Sequence, residues 1–131
     1  MFDVYMIERE ALMVSRPKGI LDASEAKRIV EFMEIKEVDT ETGFDRFCDL
    51  TGLDSIHLAA ADVLELAVRR RTFNPNGAHV KSAFLATHPL AFAIARMYEQ
   101  LLNSPRIDVR VFRELETAAE WLAVRPDRLK L

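Results

Sequence analysis

Two short runs with strand character open the chain, Phe2 to Ile7 and Ala11 to Ser15, the second ended by Arg16 and Pro17. The polar "ERE" between them predicts a hairpin. In "ILDASEAKRIVEFMEIKEVD", Asp22 and Glu25 have the spacing of a capping box with Asp as the cap. Ala26, Ile29, Val30 and Met33 recur on one helical face, so an amphipathic helix is expected over Ala23 to Lys36. "DTETG" is a polar connection and "FDRFCDL" a short strand. From about Ile56 to Arg71 the apolar positions, among them Leu58, Val63, Leu64, Ala67 and Val68, run almost all round a helix. That pattern predicts a helix largely covered by its neighbours. Ser55 is placed to cap it, and Arg69 to Arg71 complement its dipole at the other end.

"FNPNG" is a turn. "AHVKSAFLAT" reads as a central strand, apolar over most of its length. Thr87 then caps a third helix with Pro89 in its first turn, and "NSP" stops it. "RIDVRVF" alternates as a strand with one less buried face. "RELETAAEWLAV" is a last helix, whose Trp121 packs on the sheet, and "RPDRLKL" is a frayed or docking tail. The order β-β-α-β-α-β-α-β-α implies crossovers and parallel pairing of the last three strands. We expect one domain over residues 1–131, an α/β fold with a mixed five-stranded sheet and about four helices.

Two stretches carry a family likeness, "FCDLTGLDSIHLAAADVLEL" and "IDVRVFRELETAAEWL". With the element order, they make the chain resemble the STAS fold of bacterial anti-sigma factor antagonists, and more closely the SpoIIAA-like branch of small stand-alone proteins. The resemblance implies a regulatory, protein-binding role. In phosphorylated STAS proteins a strand ends in Asp-Leu-(Ser or Thr)-Gly, and an Asp-Ser-(Ser or Thr)-Gly turn opens the next helix. Matched on Asp49 to Gly52, that turn falls at His57, Leu58, Ala59 and Ala60. No hydroxyl stands there, so the phosphoserine switch is not expected. The fold also resembles lipid carriers of the CRAL-TRIO type, which implies an alternative role as a small-molecule or lipid-binding carrier.

Composition narrows the classes. The 131 residues are 50% hydrophobic and 30% charged, as in an ordinary globular domain. A net charge of -3 argues against nucleic acid as partner. No apolar run is long enough to span a membrane. The N-terminus has no signal-peptide pattern, and the lone Cys48 excludes an internal disulfide. A cytoplasmic protein is therefore expected. His57, His79 and His88 lack helical metal-pair spacing, so neither a metal nor a cofactor is expected. Cys48 reads as a small core residue. Asp49 either caps the second helix or takes backbone bonds at the corner, and the other carboxylates are assigned to solvent faces. Arg69 to Arg71 read as a solvated helix end. No nucleophile, base and orienter assemble from the sequence, so no enzyme is expected. The candidate binding residues are Thr51, Ser55, His57, Thr87 and His88, at the carboxyl ends of strands and the starts of helices, where α/β sheets place ligands. The expected occupant is a partner protein, a second copy of the chain, or a small apolar ligand.

Overall fold

The structure is a computed structural model, and it describes residues 2–130. Strands β1 (Phe2–Ile7), β2 (Leu12–Pro17), β4 (Asp45–Asp49), β6 (Val80–Leu85) and β7 (Ile107–Phe112) form one five-stranded sheet in the order β1-β2-β4-β6-β7. The hairpin β1–β2 is antiparallel. Its turn is a single 3-10 turn, Glu8–Glu10, closed by Ala11 in the left-handed region at φ 48. β2, β4, β6 and β7 are parallel neighbours, as the crossover helices require. The helices are α1 (Ala23–Asp39), α2 (Ala60–Thr72), α3 (Pro89–Leu102) and α4 (Leu115–Leu122). The mixed five-stranded sheet with four helices is the expected architecture.

Alternation along the strands divides the core. Leu12 and Val14 of β2, Phe47 of β4 and Ala83 and Leu85 of β6 pack against Ala118, Ala119 and Leu122 of α4. The opposite face, with Phe84, Val109 and Val111, meets α1, α2 and α3. The tail docks: Leu129, in the 3-10 turn Pro126–Leu129, is fully buried in the α4 cluster.

Five expectations need correction. Two further strands, β3 (Gly19–Asp22) and β5 (Leu53–His57), pair as a separate parallel ribbon. Ile56 and His57 are therefore strand, and α2 starts only at Ala60. Ser55 caps no helix; it lies opposite Ile20 in the ribbon. The cap of α3 is His88, whose Nδ1 accepts from the Leu90 N–H at 3.2 Å, so Thr87 does not fill that place. Leu64 and Val68 of α2 are exposed at 46% and 40%, so the helix is covered on one side only. The Asp22 cap of α1 holds: its carboxylate accepts from the Glu25 N–H at 2.8 Å.

Candidate functional site

Parallel pairing brings the carboxyl ends of β4, β6 and β7 to one edge. The Leu50 N–H donates to the Leu85 carbonyl at 2.9 Å, which sets the corner after β4 beside the corner after β6. Thr51, Thr87 and His88 are exposed along this edge. Asp49 anchors it: its Oδ1 accepts from the Thr51 N–H and hydroxyl at 2.9 and 2.6 Å, and its Oδ2 meets Arg16 at 2.7 Å. Asp49 thus takes backbone bonds at the corner and does not cap α2. Ser55, half-buried, and His57, exposed, sit on the β3–β5 ribbon that follows in the chain. Among the described residues no hydrogen bond joins the five candidates to one another.

The corner that opens α2 runs His57-Leu58-Ala59-Ala60. The helix supplies its own anion there: the Asp62 carboxylate accepts from the Ala59 N–H at 2.8 Å. The positive end of the helix dipole is therefore already matched by a fixed carboxylate.

Beneath the helices lies a cavity of about 120 Å³. Its floor is the sheet: Met13 and Ser15 of β2, Arg46 and Cys48 of β4, Ser82 and Phe84 of β6. Ala26, Ile29, Val30 and Met33, the apolar face of α1 read from the sequence, form part of its roof. Leu66 of α2 with Ile94 and Tyr98 of α3 complete it, while Leu21, Ile56 and Leu58 close the side toward the α2 corner. None of the five rim residues lines it.

One end of this space is closed by a buried charge cluster that sequence reasoning missed. Glu34 and Glu37 of α1, Arg46 of β4, Arg70 of α2 and Arg106 are all buried, Arg70 at 1% exposure. Glu37 meets Arg70 at 2.8 Å, Arg46 at 3.2 Å and Arg106 at 3.5 Å. Glu34 meets Arg69 at 2.7 Å and Arg70 at 3.3 Å. Arg46 and Arg106 also donate to the Phe44 and Phe73 carbonyls. Arg69 and Arg70 thus tie α2 to α1, Arg71 donates to the Leu101 carbonyl of α3, and the Glu34 and Glu37 carboxylates do not face solvent. Burial would raise the Glu37 pKa, but the hydrogen bond from Arg70 and the charges of Arg46, Arg70 and Arg106 outweigh it and hold it below the ordinary value. Burial lowers Arg46 to about 10, so it stays charged at neutral pH. The signal available in the sequence was Arg46 itself, next to Phe47 and two positions before Cys48 in a strand that lies between crossover helices.

Cys48 is a half-buried thiol on the cavity floor. Burial pushes its pKa up to about 12, against the pull of the Ser15 hydrogen bond. At pH 8 only about one molecule in ten thousand then carries the thiolate, the nucleophilic form. Iodoacetamide at pH 8 should leave Cys48 unmodified in the folded chain and alkylate it readily in urea, as intact mass will show.

Geometry of this kind defines a class of fold. An uncharacterised protein of the DUF3478 family from Shewanella loihica PV-4, described as having a SpoIIAA-like fold, is similar over 93% of this chain and 92% of its own, with TM-score 0.60 and 16% identity. The anti-sigma factor antagonist SpoIIAA in its unphosphorylated form is similar over 94% of this chain and 98% of its own, with TM-score 0.57 and 15% identity. The fold is STAS-type and SpoIIAA-like. The chain belongs to the family described as "Domain of unknown function (DUF7793)", whose model matches residues 5–124. No curated protein sequence matches it. Among the described residues no helix is long and apolar enough to cross a membrane.

Proposed function

We propose that this chain is a cytoplasmic, non-enzymatic regulatory module that acts by protein contact, with no phosphoserine switch at the α2 corner. The observation that carries the reading is the corner itself. Its residues are His57, Leu58, Ala59 and Ala60, none with a hydroxyl, and Asp62 already holds a negative charge against the helix start. A similar solved structure is named as an anti-sigma factor antagonist, which supports partner binding as the kind of role. The partner would meet the exposed Thr51, Thr87 and His88 with the adjoining Leu90, together with exposed His57 and half-buried Ser55 of the ribbon.

The non-enzymatic part is supported by the chemistry at hand. The Cys48 thiol is held neutral by burial. His88 uses Nδ1 to cap α3, and Asp49 is tied to Arg16 and Thr51.

A photo-crosslinking residue placed at His57 should trap one discrete adduct in the protein's own cells. The same residue at the exposed Glu41, in the loop leading into β4, should trap none. Equal trapping at both positions, or none at His57, would contradict contact through this rim.

A further inference from the structure

We infer that the cavity between the sheet and α1, α2 and α3 is a binding site for one small, uncharged, apolar molecule, the size of a single aromatic ring or a short alkyl chain. The inference goes beyond the contact-based reading and does not depend on it. Three features of the space carry it.

The first is size. The cavity measures about 120 Å³. An engineered apolar cavity of about 150 Å³ stays free of water and takes up benzene. A void of this order holds a ring or a short chain and excludes a long-chain lipid.

The second is wall chemistry. Leu21, Ile29, Val30, Leu66, Phe84 and Ile94 present carbon to the space. An apolar guest restores the dispersion contacts that these side chains lack across a void.

The third is what the polar neighbours are doing. Arg46 and Arg70 reach the wall, but their terminal guanidinium nitrogens are bonded to Glu37, Glu34 and the Phe44 carbonyl, which leaves Arg46 Nε as a single donor without a partner among the described residues. A carboxylate guest would have to displace Glu37 from cations it already holds. Tyr98, set edge-on to Phe84 at 5.6 Å, and Cys48 are both kept neutral by burial. The walls select against charge because taking an ion from water into such a space is costly without a free partner.

Position adds a consequence. Ile56 and Leu58 line the cavity on either side of His57, so a guest touches the side chains that hold the α2 corner.

The test is a titration of the full chain with benzene, followed by methyl carbon–proton spectra. Saturable shifts are expected at Ile29, Val30, Leu66 and Ile94, and none at Leu129 behind the sheet. Benzoate should bind at least tenfold more weakly. Cys48→Leu, which fills the floor, should weaken benzene binding at least tenfold. Should that variant fail to fold, Leu66→Ala provides the converse: the enlarged cavity should bind naphthalene, which the parent chain rejects. No saturable shift in the folded parent chain would overturn the inference. So would benzoate binding as tightly as benzene, benzene binding unchanged by Cys48→Leu, or naphthalene rejected by Leu66→Ala.

Discussion

Glu37→Gln should destabilise the protein by roughly 3–5 kcal/mol, the range for removing one partner from a buried ion pair. Glu37 is the common acceptor of Arg46, Arg70 and Arg106, whose side chains are 5%, 1% and 6% exposed. A neutral amide leaves three buried cations facing one another, with Glu34 the only buried counter-charge that touches any of them among the described residues. The unfolded chain hydrates those cations freely, so the whole penalty falls on the folded state. Urea unfolding measures it, and a loss under about 1 kcal/mol would mean that the cluster is far more hydrated than its burial indicates. The pH dependence follows from the direction of the shift. The folded pKa lies below the ordinary 4.5, so the carboxylate adds stability that is fully present above 4.5 and is lost as pH falls through the folded value. The gap between the parent chain and Glu37→Gln should therefore narrow as the pH drops below 4.5.

Truncation after Val124 should have an effect at least as large. Leu129 is fully buried against the α4 cluster, and its carbonyl accepts from Arg16. Losing a buried leucine side chain costs about 2–5 kcal/mol. Leaving the Arg16 donor without that acceptor adds about 1–3 kcal/mol. Arg16 is 7% exposed and also holds Asp49, so loosening it reaches the rim through the Thr51 corner. Thermal melting should show a fall of at least about 6 °C, by the usual conversion of about 2–8 °C per kcal/mol. A truncated chain that melts with the full one would mean that the tail only rests on the surface.

Legibility in the sequence followed the length of each signal. The α1 face and the period-two strands repeat over enough residues to be read directly, and so the five-stranded sheet and its crossovers were. The β3–β5 ribbon was missed because "GILD" and "LDSIH" are too short to show a period. Ile56 and Leu58 also continue the apolar run of α2, which drew the helix start back to a point where the chain is still extended. The cap at His88 lost to Thr87 because threonine is the commoner cap. Arg70 and Glu37 were assigned to water because charged residues rarely go inside unpaired, and their pairing spans 33 positions. The cavity has no sequence signature: it arises from how three helices sit over one sheet face. Placement of Thr51, Thr87 and His88 just past strand ends was legible because that follows from topology alone, whereas Ser55 lies mid-strand in the ribbon.

The central claim is a regulatory contact surface without a phosphorylated corner. The most direct measurement is the intact mass, with site mapping, of the chain isolated from its own cells under phosphatase inhibition. The expected result is a chain free of phosphate at Thr51, Ser55 and Thr87. A stable phosphate at any of these, lost on the matching alanine substitution, would contradict it and restore a phospho-switch displaced along the same rim.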